Sequence, residues 1–225
     1  MTTTGENTLT ADGDTAFFGG SFDPPHLGHL AVAAAAIAAG MCRWVTWVPA
    51  YAPPHKNSHR VSFADRAAMV ELTIADHENM SASRIEEELK LSPSYTFCVI
   101  DAWYLRYRSL PALLIGADSL LELHNWHRGA ELAERCRILT YPRRGYPISE
   151  EALAAHWKPA MVKKLLSGMI SGNFFEISSS ELKSAMEKFT ATGDIMSVKN
   201  FLAPGVTDYI IRRNLYIGTT PGTAR

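Results

Sequence analysis

Short apolar runs alternate with amphipathic segments along most of this chain, and that alternation constrains its fold more than any other feature. The candidate strands are Thr15–Phe18, Trp44–Val48, a segment near Met80–Ile85, Ala112–Ile115 and Arg137–Tyr141. Glycine or proline follows four of them, as Gly19, Pro49, Gly116 and Pro142. Between them lie helical patterns: Leu30–Ala39, stopped by Gly40; Phe63–Ala75, opened by the capping pair Ser62 and Asp65; and Tyr95–Tyr107. This order implies βαβ units, and so an α/β fold with a parallel sheet covered on both faces. Past Pro142 the texture turns helical. Glu150–Trp157 and Pro159–Leu166 come first, then a short apolar run, Met169–Ser171. A helix opened by Ile177-Ser178-Ser179-Ser180 and running through Lys188 follows, with Pro204–Arg213 as the last. We read a polar tail over 1–14, one domain over 15–217 whose part 144–217 is helical, and a flexible tail over 218–225.

Composition excludes several classes. With 225 residues, 47% of them hydrophobic, the chain can bury a full core. Lys+Arg 22 against Asp+Glu 23 leaves a net charge of -1, which gives no global attraction to nucleic acid or to an acidic membrane. Any anion site must therefore be built locally. Cys42, Cys98 and Cys136 are widely spaced and odd in number, which suits a reducing compartment better than a disulfide framework. The start of the chain lacks a basic, apolar signal pattern, and the longest apolar stretch, Leu30–Ala39, falls short of the roughly 20 residues a membrane span needs. The expectation is a cytoplasmic protein.

In such a fold, ligands bind at the carboxyl ends of the strands. After the first strand comes Gly19-Gly20-Ser21-Phe22-Asp23-Pro24-Pro25-His26-Leu27-Gly28-His29. A helix beginning near Pro25 would put both imidazoles on its first turn, where free backbone N–H groups and the helix dipole favour a phosphate. Two bland alternatives stand beside this: an ordinary helix surface, or half of a zinc site whose other ligands are missing from the neighbourhood. After the second strand, Pro53-Pro54-His55-Lys56 holds Lys56 on a stiff loop, as a phosphate contact or as a solvated lysine. Ser178-Ser179-Ser180 caps a helix, and the run of hydroxyls with Lys183 one turn on makes a second anion site. Asp118, after Gly116, either accepts from ribose hydroxyls or caps a helix beginning at Ser119. Trp126 either stacks on a flat ring or packs in the core. Neither a Ser/His/Asp triad nor a carboxylate pair is evident, which fits phosphoryl or nucleotidyl transfer, where positioning and charge stabilisation carry the catalysis.

Together these motifs resemble the nicotinate-nucleotide adenylyltransferases, a branch of the His-x-Gly-His nucleotidyltransferase superfamily. The resemblance runs from about Ala16 to Tyr216. It is carried by the Gly19–His29 signature, Pro53-Pro54-His55-Lys56, Ser94-Tyr95-Thr96, Ile115-Gly116-x-Asp118-Ser119-Leu120 with Trp126, and Ile177-Ser178-Ser179-Ser180. Leu202-x-Pro204-x-Val206-x-x-Tyr209-Ile210 and Leu215-Tyr216 complete it. The resemblance implies a Rossmann-like, doubly wound sheet with a small helical C-terminal annex. It also implies adenylyl transfer from ATP, with Mg²⁺, to nicotinate mononucleotide, giving deamido-NAD and pyrophosphate. His26, His29 and Lys183 would be catalytic, and Gly19, Gly20, Gly116, Asp118, Ile177, Ser178 and Ser180 would hold ATP. Ser21, Phe22 and Lys56 would hold the mononucleotide phosphate, and Tyr95, Thr96 and Trp126 its pyridine ring. The resemblance assigns no metal to a protein ligand and leaves the oligomeric state open, a homodimer included.

The chain departs from the family's pattern in three places. Ser180 and Lys183 stand where threonine and arginine are usual, Cys98-Val99-Ile100 replaces an Asp-Thr-Leu run, and His127 replaces an aromatic residue. Two rival functions follow: the same chemistry on nicotinamide mononucleotide or another phosphorylated acceptor, or a weakly catalytic nucleotide-binding module.

Overall fold

The computed structural model describes residues 13–52, 60–171 and 179–217. Five parallel strands form one sheet: β1 (Thr15–Gly20), β2 (Trp44–Pro49), β3 (Met80–Ala82), β4 (Ala112–Gly116) and β5 (Ile138–Tyr141), in the order β3-β2-β1-β4-β5. The order reverses between β1 and β4, so a crevice opens there at the carboxyl end of the sheet.

The helices are α1 (Leu27–Ala38), α2 (Phe63–Ile74), α3 (Ile85–Leu89), α4 (Thr96–Tyr107), α5 (Ala117–Glu122) and α6 (Gly129–Arg135). They continue as α7 (Glu150–Ala154), α8 (Pro159–Leu166), α9 (Ser179–Thr192), α10 (Met196–Lys199) and α11 (Pro204–Arg213). None of the described helices is long and apolar enough to cross a membrane.

Because the strands are covered on both sides, they read as continuous apolar runs rather than as alternating ones. Successive side chains still point to opposite faces. Phe17 and Leu113 pack with Phe97, Ile100 and Trp103 of α4 and Leu132 of α6. Phe18, Trp47 and Leu114 pack on the other face with Val32, Ala33 and Ala36 of α1 and Val70 and Ile74 of α2. A third cluster joins Met69 of α2 to Leu182, Met186, Phe189, Val206 and Ile210, so the C-terminal helices sit on the outside of α2.

Several boundaries differ from the sequence reading. The two glycines finish β1 instead of forming a turn after it. Helix α1 starts at Leu27, not near Pro25, because His26 itself is the cap. The stretch expected as strand to Ile85 stops at Ala82, and α3 begins at Ile85. The apolar run Met169–Ser171 contributes one parallel bridge, from Met169 to Thr140. By contrast, Pro159–Leu166 and Pro204–Arg213 form as read, each with proline in the first turn, where its missing N–H costs nothing.

Candidate active site

His26 has extended backbone (φ -144, ψ 167) and caps α1 with its imidazole. Its Nδ1 accepts from the His29 N–H at 3.3 Å, and His29 Nδ1 accepts in return from the His26 N–H at 3.2 Å. This is a capping box built from two histidines. An imidazole whose Nδ1 accepts must carry its proton on Nε2, so both rings are neutral Nε2–H donors. Burial holds His26 down, with the charge of Arg143 adding to the effect, and its pKa falls to about 4. Burial, then His26, then Arg143 keep His29 well below its ordinary value. The ring centroids lie 3.6 Å apart, so a charge on one ring would repel a charge on the other.

The expected cradle of backbone N–H groups is narrowed by two bonds. The Leu27 N–H donates to the Phe201 carbonyl and the His29 N–H serves the cap. Two of the first-turn backbone N–H groups are thus already engaged, and the imidazole Nε2–H groups stand beside what remains.

Phe22 takes a left-handed backbone (φ 47) and buries its ring, packing on His29, Phe18 and Trp47 with centroids 5.1, 5.6 and 5.0 Å away. The whole residue is 2% exposed, so the ring is part of the core and is not available to a ligand. A Cβ on Gly20 would stand 2.9 Å from the Phe22 ring, and glycine is what lets that ring fold back beneath the strand end.

Arg66 is a site element that the sequence reading did not pick out. It is 1% exposed, and donates from Nη1 to the Ser21 carbonyl at 2.6 Å and from Nη2 to the Ala50 carbonyl at 2.7 Å. One buried guanidinium thus ties together the segments that leave β1 and β2. Asp23 adds a second tie: its carboxylate accepts from the Arg60 N–H at 2.6 Å and the Tyr216 hydroxyl at 2.8 Å. The sequence signal for Arg66 was a charged residue inside the buried stripe Ala67, Met69 and Val70 of α2.

Between the ends of β1 and β4 lies a cavity of about 1010 Å³. Gly19, Gly20, Tyr95, Thr96, Asp118 and Trp126 all line it, so six residues expected from the sequence meet at one place. Trp126 serves both readings, because it also packs against the core cluster. Tyr95 caps α4 and stacks on His127, with centroids 4.5 Å apart and rings at 22°. Glu86, from the unexpected α3, also lines the cavity, where its carboxylate accepts from the Tyr51 N–H at 2.8 Å. Burial pushes the Glu86 carboxyl up, while bonds from Ser94 and Tyr51 and the charge of Arg66 oppose that.

Asp118 is not the cap of its helix. Gly116 takes the cap position, α5 starts at Ala117, and the Asp118 carboxylate pairs with Arg143. Ser21 lies in the same loop as Phe22 and gives its carbonyl to Arg66. The backbone puts Ser180 and Lys183 at the start of α9. Lys56, Ile177 and Ser178 lie outside the described residues.

His26 and His29 are not among the residues that line this cavity; they sit on the turn that follows β1, whose last residues, Gly19 and Gly20, do line it. A switch-point crevice with a histidine-capped helix after its first strand is the architecture of a nucleotidyltransferase. The chain belongs to the cytidylyltransferase-like family, whose sequence profile matches residues 17–185. Its relatives within that family point to one branch. A protein of Carboxydothermus hydrogenoformans, described as a "probable nicotinate-nucleotide adenylyltransferase", is 32% identical over 203 residues, covering 88% of this chain and 96% of that one. A Serratia proteamaculans protein of the same description is 43% identical over 135 residues, an alignment that spans 60% of its length. The fold matches Plasmodium falciparum nicotinic acid mononucleotide adenylyltransferase, solved with NaAD, with a TM-score of 0.70 at 20% identity. That match covers 91% of this chain and 97% of the other.

Proposed function

We propose that this chain transfers the adenylyl group of ATP to nicotinate mononucleotide, forming deamido-NAD and releasing pyrophosphate. The observation that carries this reading is the cavity between the ends of β1 and β4, lined by Gly19, Gly20, Thr96, Asp118 and Trp126, with the histidine capping box on the helix that follows β1. A phosphate oxygen of the mononucleotide attacks the α-phosphorus of ATP, and the bond from that phosphorus to the bridging oxygen breaks. The nucleophile belongs to the substrate, so no protein nucleophile is needed. His26 and His29 donate to the oxygens on which charge accumulates. Neutral donors of fixed geometry suit this work, since they need no reorganisation as the charge develops. Mg²⁺ enters as part of the substrate, MgATP.

In this reading Asp118 accepts from the ribose hydroxyls of ATP, and Gly116 lets the nucleotide approach the end of β4. Gly19 and Gly20 give it the same access at the end of β1. Tyr95, Thr96 and Trp126 receive the pyridine ring on the cavity wall. Ser21, the Phe22 main chain and Lys56 take the mononucleotide phosphate, while Ile177, Ser178, Ser180 and Lys183 hold the departing pyrophosphate. The chain works in the cytoplasm, where Cys42, Cys98 and Cys136 stay reduced.

The test is pyrophosphate release from MgATP and nicotinate mononucleotide by purified protein, run beside nicotinamide mononucleotide. Turnover with the acid acceptor and a clearly lower kcat/KM with the amide are expected. Absence of pyrophosphate with either acceptor would reduce the chain to a nucleotide-binding module, and preference for the amide would overturn the acceptor.

A further inference from the structure

The strand-end rule that places Gly19 after β1 and Gly116 at the end of β4 applies equally to β5, where the chain runs Tyr141-Pro142-Arg143. Arg143 Nη1 donates to Asp118 Oδ2 at 2.5 Å, joining the ends of β4 and β5 across the mouth of the site. Gly116 makes room for this pair, since a Cβ there would stand 2.5 Å from Asp118 Oδ1 and 2.9 Å from Arg143 Cδ. The second carboxylate oxygen, Asp118 Oδ1, is buried with no hydrogen-bond partner among the described residues, while Asp118 itself lines the large cavity. It is an acceptor without a donor, on a residue that lines the cavity.

The charge balance of the site gives Arg143 its role. ATP brings a polyanionic triphosphate to a turn whose two imidazoles are neutral and whose Leu27 N–H is already engaged. Arg143 is a cation whose field reaches both His26 and His29. Its side chain is 37% exposed, and a guanidinium presents a planar fork that matches phosphate oxygens two at a time.

We infer that Arg143 is a phosphate ligand of the bound nucleotide, held on Asp118 in the empty site and exchanged to the triphosphate when the ribose hydroxyls take that carboxylate. The pair thus keeps each partner satisfied until ATP supplies a donor for one and an acceptor for the other. This assignment rests on the ATP-binding reading above.

The test is calorimetric titration of MgATP into wild-type, Arg143→Gln and Arg143→Lys protein, with imidazole NMR of His26 across pH. Arg143→Gln should weaken MgATP by about tenfold or more, as loss of a charged hydrogen bond does. Arg143→Lys, which keeps the charge without the fork, should fall between the two. The NMR readout checks that the Arg143 charge reaches the imidazoles: the His26 midpoint should rise in Arg143→Gln and stay near the wild-type value in Arg143→Lys. Should Arg143→Gln fail to fold, Arg143→Lys carries the binding test by itself. Wild type that binds no MgATP would remove the nucleotide reading and this assignment with it. Wild type that binds, beside a variant within about twofold of it, would remove the assignment alone.

Discussion

His26 and His29 each use one imidazole for two purposes. Nδ1 closes the first turn of α1, and under the proposed function Nε2–H serves the reaction, so fold and catalysis would draw on opposite edges of the same ring. The two uses can be separated by mutation. Asparagine offers a cap acceptor where Nδ1 stood but no donor at the Nε2 position. His26→Asn should therefore keep the unfolding free energy within about 1 kcal/mol of wild type. Its turnover should drop by about 10²-fold. Chemical denaturation and initial rates, measured on one preparation, check this; equal turnover would take His26 out of the reaction. The i,i+3 spacing was legible in the sequence, but the tautomer was not. It follows from an N–H of His29 meeting a nitrogen of His26, a contact that exists only once α1 starts at Leu27.

Among the elements, α2 connects the outside of the molecule to the site. Its Asp65 accepts from Ser62, Tyr209 and Arg213, and the next residue, Arg66, reaches the other way to the Ser21 and Ala50 carbonyls. The C-terminal segment after α11 closes the same assembly, because Tyr216 is 1% exposed and donates to Asp23 in the loop after β1. Tyr216→Phe leaves a half-buried carboxylate short of one donor and should cost about 0.5–1.5 kcal/mol of stability. Urea unfolding of the variant measures it, and an unchanged midpoint would show that the tie holds nothing. Helices α8 and α11 were readable to the residue because proline marks each start. The short α3 was not. Its five residues carry no periodic stripe, and Ile85 looks like the end of the preceding strand until packing removes it from the sheet.

For the whole molecule, the buried titratable groups set how stability responds to acid. The folded state holds His26 at about 4 against an ordinary 6.5, so between these values the unfolded chain binds the extra proton. Stability should then fall as pH drops from about 6.5 to 4, at no more than about 1.4 kcal/mol per pH unit per histidine. His29, lowered for the same reason, acts in the same direction. Burial pushes the Asp65 carboxyl up, but its bonds to Ser62, Tyr209 and Arg213 leave it below its ordinary value, so its stabilisation is lost at still lower pH. Glu86, pushed up by burial, opposes the trend, because the folded state takes its proton first. Thermal unfolding across this range checks the sign, and a melting temperature that rose between pH 6.5 and 4 would contradict it. By itself the sequence determined the class of fold and the strand ends where ligands bind, because hydrophobic period and Gly/Pro punctuation are local properties of the chain. It also picked out Gly19, Gly20, Asp118 and Trp126, and the family resemblance added Tyr95 and Thr96; all six line the cavity. Only the tertiary structure decided which charges meet. Arg66 reaches loops 45 and 16 residues away, and Tyr216 reaches Asp23 across 193. Pairings at that separation depend on how the sheet orders its strands, and one-dimensional spacing carries no record of it.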